Sequence, residues 1–307
     1  MDFGSFGAGF GSFGTSGGTS PLRGLDPFAV YGSTDVMRSG QPIVRLRRAS
    51  DAAEQDFTEA ELWGSAYDTF ADGTTARVAK MYDQVAGGSN SSNTHLQMGT
   101  VGFQPLRGTV SERSISFQSD FVHRLDISTI GTRADFDGDL TFGARYRPQS
   151  DANTSYANPL FTYYNASSGG SSFSFVPIHG AAHRQLTTQI TSGDEVYRAD
   201  DFGSSLKTAD ITLSPATSAG KSILSLHTST TSRSVKHDDQ SLVNNTDDCG
   251  TITEPAVTRF GIGGWRVTST FKSAQQNFSL SCSCIFDRAL DSNEQNILIG
   301  ILDGLSV

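Results

Sequence analysis

Residues 29–57 read AVYGSTDVMRSGQPIVRLRRASDAAEQDF, and apolar and charged residues alternate near the middle of this stretch. Val44 and Leu46 fall on one side of an extended chain, while Arg45 and Arg47 fall on the other. Side chains of a strand alternate between its two faces, so this pattern has one apolar and one charged face. The stretch therefore predicts a half-buried β-strand.

Similar short segments recur along the chain, separated by clusters of Gly, Asn, Asp and Ser. We predict strands at residues 43–49, 77–84, 114–119, 140–146, 172–178, 222–228, 257–262 and 277–286. Only two helices are predicted: residues 59–70, capped by Thr58, and residues 291–302, capped by Asp291 or Ser292. Many short strands with few helices indicate an all-β antiparallel sandwich or jelly roll with short peripheral helices.

Composition supports this class and excludes several functions. Among 307 residues, 32 are Gly and only 9 are Pro, which suits strands and turns better than a helical bundle. The net charge of −9 leaves no basic surface for nucleic acid. The sequence has no run of 18 apolar residues, so no membrane span is predicted, and no secretory signal is visible. We therefore expect a protein that stays in the cytoplasm or leaves it by assembly into a particle.

The first 24 residues differ from the rest, because Phe3, Phe6, Phe10 and Phe13 are spaced by Gly and Ser. Such a stretch cannot build its own core, so its ordering needs contacts made elsewhere. We divide the chain into a Gly/Phe-rich anchoring arm, residues 1–24, and a sandwich domain, residues 25–307. The phenylalanines would dock in pockets of a partner, and the alternative is that the arm folds back on its own domain.

The three cysteines, Cys249, Cys282 and Cys284, are too few and odd in number for a disulfide framework. Cys282 and Cys284 lie within the strand predicted at 277–286, on the same side as Phe278. This placement favours small buried apolar residues over a metal site.

Two stretches resemble a known family. The first is the opening stretch together with VAKMYDQVAGGSNSSNTHLQ, residues 78–97. It resembles the start of the catalytic domain of arabinofuranosidase B and its bacterial and phage relatives. The matching residues are Tyr31, Val44, Arg47, Arg48, Ser50, Asp51, Ala53, Glu54, Gln55, Asp56, Tyr82, Asp83, Gln84 and Gly88.

The second stretch is RFGIGGW, residues 259–265, followed by IFDRALDSNEQNILIGIL, residues 285–302. It is similar to the end of laminin-G-like and other concanavalin-A-like domains. The two stretches cover about a third of the chain, and residues 141–254 match no motif. The resemblance implies a concanavalin-A-like β-sandwich.

The catalytic residues of the resembled family are not matched. Its retaining chemistry needs two carboxylates, one as nucleophile and one as acid/base. The family's acid directly follows the G-I-G-G turn, where this chain has Trp265. The family's nucleophilic Glu is missing from the closest likeness, Ala199 to Gly203, although that segment holds Asp200 and Asp201. We therefore predict no enzymatic activity, and a glycoside hydrolase is the alternative.

Three further patterns are candidates for metal or phosphate binding. The GKS triplet at Gly220 lacks the Gly five residues earlier, where Pro215 stands, so no phosphate loop is expected. His179 and His183 would share a helix face for zinc, but the local pattern is that of a strand. The DFDGD segment offers Asp135, Asp137 and Asp139 as candidate calcium ligands, against the alternative of a solvated Asp-Gly turn. Calcium is the only cofactor that the sequence suggests.

Aromatic residues near turns are the candidates for sugar binding, because sugars stack their C–H faces on rings. Trp265 follows a Gly-Gly turn and is expected at a loop tip, and Tyr163 with Tyr164 forms an aromatic pair. Core positions are the alternative for these rings. Asp200 and Asp201 complete the predicted carbohydrate-binding set.

These features together predict a non-catalytic phage structural protein at the virion surface, as a tail or head appendage. Residues 1–24 would attach it to other virion proteins, and the sandwich would present a binding surface to a host surface glycan. We expect a homo-oligomer with no nucleic acid or membrane partner. A purely structural capsid decoration or cement protein is a further alternative.

Overall fold

The computed structural model describes 16 segments of the chain. They are residues 20–85, 95–99, 102, 104–118, 125–127, 138–148, 158–165, 183–191, 194–202, 205–213, 219–228, 231–238, 240–250, 258–267, 270–273 and 277–307. The predicted strand at 172–178 lies outside these residues. No helix in the described segments is long and apolar enough to cross a bilayer.

The elements of the described residues are strands with a few short helices. The strands are β1 (Ala29–Gly32), β2 (Val44–Arg48), β3 (Glu54–Phe57), β4 (Ala76–Met81), β5 (Leu96–Gln97), β6 (Leu106–Arg107), β7 (Ile115–Phe117), β8 (Leu125–Ile127), β9 (Leu140–Pro148), β10 (Asn158–Asn165), β11 (His183–Thr191), β12 (Asp194–Phe202), β13 (Leu206–Leu213), β14 (Lys221–Thr228), β15 (Ser232–His237), β16 (Val243–Asn245), β17 (Thr258–Ile262), β18 (Gly264–Val267), β19 (Thr270–Ser273) and β20 (Phe278–Phe286). The helices are α1 (Glu59–Leu62), α2 (Ser65–Ala71) and α3 (Ser292–Asp303), after an N-terminal 3-10 turn, Pro21–Leu25.

Most of the described strands form two antiparallel layers, which confirms the predicted all-β sandwich, while β18 and β19 pair with each other as a separate hairpin. The front sheet has the order β3–β2–β4–β5–β8–β17–β10–β11–β12–β13. The back sheet has the order β16–β15–β14–β9–β20, and β1 and β7 share the other edge of β20. The short β6 pairs with β4 and β7 and so joins the two layers.

The main core lies between the layers and is lined by the apolar side of each strand. Val44 and Leu46 are fully buried there, as the alternation of β2 predicts. Phe142 of β9 and Phe161 of β10 stack across the two layers, with ring centroids 5.1 Å apart. Burial of large aromatic surface is the main favourable term that holds such layers together.

A second core lies on the outer side of the back sheet, beneath α3. Leu298 and Leu302 of α3 pack with Leu22 and Leu25 of the N-terminal turn. Asp291 begins α3 with a capping box, because its side chain accepts the Glu294 N–H while Glu294 accepts the Asp291 N–H. The back sheet is therefore covered on both faces.

The helix predicted at residues 59–70 was wrong as a single element. Thr58 caps α1 as expected, but α1 ends at Leu62 and α2 begins at Ser65. Gly64 lies between them in an extended conformation, with φ −111° and ψ −172°. Glycine strongly disfavours helix continuation, so the break occurs there.

The shared side predicted for alternate residues of 277–286 was also wrong. A register shift in β20 between Leu280 and Cys282 moves the chain onto its other face. Phe278 and Leu280 therefore lie in the main core, whereas Cys282 and Cys284 lie in the second core beneath α3. All three cysteines are free and buried, as the apolar interpretation expects.

Candidate functional site

A row of paired backbone positions crosses all ten strands of the front sheet. Successive cross-strand partners form this polar row, in the order Asp56, Arg45, Lys80, Gln97, Asp126, Gly261, Thr162, Gln185, Asp200 and Thr208. Nine positions carry a polar residue and the tenth is a glycine. An apolar residue stands nowhere in the row, although both layers are rich in them.

The described side chains of the row point away from the main core. Arg45 lies between the buried Val44 and Leu46, so it faces outward. Its side chain is 35% exposed, that of Asp56 is 37% exposed, and Gln97 is exposed. Arg45, Asp56 and Gln97 therefore present polar groups to solvent at the β3–β5 end of the front sheet.

A cluster at one end of the row is fixed by hydrogen bonds. Arg45 donates to Asp56 through two nitrogens, at 2.6 and 3.0 Å, and the Tyr82 hydroxyl donates to the same carboxylate at 2.8 Å. Lys80 Nζ lies 5.3 Å from the centroid of the Tyr82 ring. His95 approaches this ring edge-on, with centroids 4.9 Å apart. We call Arg45, Asp56, Lys80, Tyr82 and His95 the Tyr82 cluster.

The cluster sets the protonation of its members. The bidentate Arg45 contact lowers the pKa of the Asp56 carboxyl, which keeps it ionised. Burial, followed by hydrogen bonding to Asp56, raises the pKa of Tyr82 to about 12. Burial, together with the charge of Lys80, lowers the pKa of His95 to about 4, so this imidazole is neutral at neutral pH. The backbone N–H of Asp83 donates to His95 Nδ1 at 3.1 Å, which assigns the ring proton to Nε2.

At the other end of the row, Asp200 is fully buried. Arg198 Nε lies 3.9 Å from Asp200 Oδ1 and 2.7 Å from Asp210 Oδ1, so one guanidinium stands between two carboxylates. Its second nitrogen bonds the other oxygen of Asp210 at 2.8 Å. Asp200 was predicted to bind a sugar, but its burial means that it shapes this surface rather than presenting its carboxylate at it.

The structure places the other predicted sugar-binding residues on strands rather than on loop tips. Tyr163 and Tyr164 lie within β10, opposite Arg184 and His183 of β11. Trp265 lies in β18 opposite Lys272, so its expected loop-tip position was wrong. Asp201 lies in β12 opposite Arg184. The side chains of Tyr163, Tyr164, Asp201 and Trp265 are outside the described part of the chain, so their contacts with a sugar stay a prediction.

The backbone positions of the aspartates in the row are too far apart for a glycosidase pair. Strands lie about 4.8 Å apart, so Asp126 and Asp200, four strands apart, are separated by about 19 Å. Asp56 and Asp126 are also four strands apart. Glycosidase carboxylates stand about 5 to 9.5 Å apart. These row positions therefore do not form the catalytic arrangement.

A second polar cluster, inside the main core, was not predicted from the sequence. Tyr146 of the back sheet bonds Glu195 of the front sheet and also Thr188, at 2.9 Å. The ring of Tyr197 stacks on His237, with centroids 4.9 Å apart. Burial raises the pKa of the Glu195 carboxyl, which favours its neutral form. This cluster links the two layers by hydrogen bonds and has no exposed member among Tyr146, Thr188, Glu195 and Tyr197.

Several predicted residues lie outside the described part of the chain. They are the arm residues Phe3, Phe6, Phe10 and Phe13, and two of the calcium candidates, Asp135 and Asp137. The third candidate, Asp139, immediately precedes β9. Within the described residues, no group of three His, Cys, Asp or Glu side chains is arranged to hold a metal ion.

Comparisons with known proteins give similarity at the level of structure. No protein-family model and no curated protein matches the sequence. An arabinofuranosidase in complex with arabinofuranosyl-α-1,2-xylobiose superposes with a TM-score of 0.59 and 13% sequence identity. The match covers 92% of this chain and 64% of that chain, less than two thirds of its length.

The chain has a concanavalin-A-like sandwich fold. A GH54 α-L-arabinofuranosidase soaked with a cyclic sulfate inhibitor matches it equally well, with a TM-score of 0.59 and 12% identity over the same shares of both chains. The binding domain of a botulinum neurotoxin in complex with SialylT reaches a TM-score of only 0.44, at 10% identity, which is too low to bear on the fold. At these identities the similarity concerns the fold and not the activity.

Sequence reasoning missed the role of Lys80, His95 and Gln97 in the exposed face of the sandwich. The sequence does show Lys80 next to the apolar Met81 and Gln97 next to the apolar Leu96. This alternation suffices to place each on the outer side of a strand. It does not show that the two strands pair, which is what brings these side chains together.

Proposed function

We propose that this chain is a non-catalytic carbohydrate-binding sandwich that holds a polysaccharide on its front sheet. The observation that carries the proposal is the polar row, which crosses ten strands without an apolar residue. Sugars present hydroxyl groups along their whole length, and each hydroxyl both donates and accepts hydrogen bonds. Arg45, Lys80, Gln97 and Thr208 provide donors or acceptors along this face, and Tyr82 adds an aromatic ring.

The fold comparisons support carbohydrate as the ligand class. The structures with a TM-score of 0.59 are arabinofuranosidases, one of them bound to arabinofuranosyl-α-1,2-xylobiose. They lend the ligand class to this proposal, whereas the chemistry is not carried over. The aspartate positions of the row on β8 and β12 lie about 19 Å apart across the sheet, and the resemblance puts Trp265 where the family has its acid.

A glycan array tests the proposal with three proteins. The wild type is compared with the double variant Lys80→Ala/Gln97→Ala on the front sheet and with Asn293→Ala on the exposed face of α3. We expect the wild type and Asn293→Ala to bind the same glycans, and the double variant to bind at least tenfold more weakly. Equal binding by all three proteins would place the site elsewhere, and an array without ligands would overturn the proposal.

The hydrolase alternative needs a separate measurement. Aryl arabinofuranosides and every polysaccharide bound on the array are incubated with the wild type, and released sugar is quantified. We expect no release above that of the heat-inactivated protein. Turnover that is abolished by Asp200→Asn or Asp201→Asn would show that the chain is a glycoside hydrolase.

We further propose that the chain belongs to the virion surface of a phage, as a tail or head appendage. Support comes from the resemblance to phage relatives, which is an association, and from the arm. Residues 1–24 would attach the protein to other virion proteins, as a homo-oligomer, while the front sheet faces a host surface glycan. If no glycan is bound but the protein still assembles, it is a decoration or cement protein.

A deletion tests the role of the arm. Leu22 and Leu25 pack in the second core, so the deletion removes residues 1–19 and leaves the sandwich intact. We expect the truncated protein to fold and bind glycans as before but to be lost from purified particles. The substitution of Phe3, Phe6, Phe10 and Phe13 by Ser should have the same effect. Normal incorporation of both variants would rule out an anchoring arm.

A further inference from the structure

We infer that the front sheet selects acidic polysaccharides, and that Lys80 receives the anionic group of one sugar residue. This inference rests on the proposed function and names the ligand class of the same face. The receiving site consists of Lys80, His95 and Gln97, which we call the Lys80 site.

The first argument is the pairing of charges along this part of the front sheet. Arg45 is held by Asp56, and Arg47 is held by Glu54. Lys80 has no carboxylate within 4 Å in the described part of the chain. Its Nζ instead lies 5.3 Å from the Tyr82 ring centroid, a contact of modest strength at a partly exposed position. Lys80 is therefore a cation of the row that has no carboxylate partner among the described residues.

The carboxylate nearest to Lys80 in the Tyr82 cluster is already engaged. Asp56 accepts two hydrogen bonds from Arg45 and one from Tyr82. These bonds hold the Asp56 carboxylate next to Arg45, its cross-strand partner on β2. Asp56 therefore positions the Tyr82 ring beneath Lys80 and does not neutralise Lys80 by direct contact.

The second argument is that the neighbours of Lys80 are hydrogen-bond donors. His95 accepts the Asp83 N–H at Nδ1, so Nε2 carries the proton and can donate. Its low pKa, about 4, keeps this arrangement constant over the neutral range. Gln97 is exposed and is the cross-strand partner of Lys80, so its amide can also donate. An ammonium, an N–H and an amide in one place suit an anionic oxygen donor such as a carboxylate or a sulfate ester.

The net charge of −9 does not oppose this inference. At physiological ionic strength the Debye length is about 8 Å, so distant charges of the chain are largely screened at the Lys80 site. A group in direct contact with Nζ is screened much less. The preference for an anionic sugar should therefore persist at physiological salt and weaken as salt is added.

The test measures affinities for three oligosaccharides of equal length by calorimetry. They are an oligogalacturonate, its carboxyl-reduced neutral form, and a sulfated form of the neutral oligosaccharide. We expect the wild type to bind the uronate or the sulfated oligosaccharide at least tenfold more tightly than the neutral one. Tighter binding of only one anionic form identifies the group that the site accepts.

Two substitutions of Lys80 and one of Lys207 separate the site from general charge effects. Lys80→Gln should remove the preference but keep binding of the neutral oligosaccharide, whereas Lys80→Arg should keep the preference. Lys207→Gln is the matched control, because it removes the same charge from a lysine that pairs with Asp247 at the edge of the sheet.

The inference is overturned if the wild type binds neutral and anionic forms equally, or if Lys80→Gln leaves the preference unchanged. In both cases glycan binding itself, and with it the proposed function, can still stand. A wild type that binds neither form overturns the inference, and the array decides the proposed function separately.

Discussion

The Tyr82 hydroxyl connects three neighbouring strands through the Asp56 carboxylate. Asp56 lies on β3, its partner Arg45 lies on β2, and Tyr82 directly follows β4. A hydrogen bond to a charged group contributes about 1.5 to 3 kcal/mol, and partial exposure reduces the contribution of this one. The hydroxyl therefore fixes both the ring and the carboxylate of the Tyr82 cluster.

Tyr82→Phe should lower the free energy of unfolding by about 1 kcal/mol, because Asp56 loses one donor while the ring remains. Denaturant unfolding followed by fluorescence measures this difference. Tyr67→Phe is the matched control, since the Tyr67 hydroxyl has no hydrogen bond within the described part of the chain. An equal loss in both variants would contradict the role given to the Tyr82 hydroxyl.

Glu195 gives the stability of the sandwich a pH dependence of defined sign. Burial raises the pKa of its carboxyl above the ordinary value, against the hydrogen bond from Tyr146 and the charge of Lys221. The native state therefore binds the proton more tightly than the unfolded state. The stabilisation that this proton binding provides is complete below the pKa of the unfolded state, about 4.3. It is lost as the pH rises through the higher pKa of the folded state.

Glu195→Gln should flatten this part of the stability profile, because the amide keeps an acceptor for Tyr146 without a titrating group. Free energies of unfolding at pH 4.5, 6 and 8 give the slope. Glu112→Gln is the control of opposite sign, because Arg147 lowers the pKa of Glu112 and so stabilises the fold only at higher pH. An unchanged slope in Glu195→Gln would show that this carboxyl does not titrate in the described range.

At the scale of elements, the packing of α3 on the back sheet depends on one glycine. A Cβ at Gly143 of β9 would lie 2.9 Å from Cys284 Sγ and 3.1 Å from Leu298 Cδ2, closer than side chains normally pack. A Cβ at Gly300 of α3 would meet nothing within 4 Å. The packing therefore requires a glycine at position 143, whereas it leaves room for a side chain at position 300.

Gly143→Ala should destabilise the protein by about 1 to 3 kcal/mol through overpacking of the second core. Gly300→Ala should stabilise it by about 0.5 to 1 kcal/mol, because alanine favours the helix and has room. Thermal unfolding of both variants checks the two signs. A stabilised Gly143→Ala would mean that α3 does not pack as described.

The elements themselves could be predicted where one local rule acted alone. Alternation located β2, and the capping residues Thr58 and Asp291 located the starts of α1 and α3. Prediction failed where a tertiary contact decided the outcome. The register shift in β20 follows from packing against β9 on one side and α3 on the other. The residues of that strand alone do not predict it.

At the scale of the whole molecule, the sandwich class followed from alternation and from the resemblance at both ends of the chain. The polar row could not be predicted, because it depends on the pairing of ten strands that are distant in sequence. Gln97 and Asp126, for example, are partners across β5 and β8. The sequence marked Asp200 as a ligand contact, and only the structure shows that this residue is buried.

The central claim is that the front sheet, and not the α3 side, carries the ligand. Chemical-shift mapping of the ¹⁵N-labelled chain with the tightest array ligand tests it most directly. We expect the largest amide shifts at Arg45, Lys80, Gln97 and Thr208, with unchanged signals at Asn293 of α3. Shifts that cluster on α3, or that are absent from the front sheet at saturation, would contradict the claim.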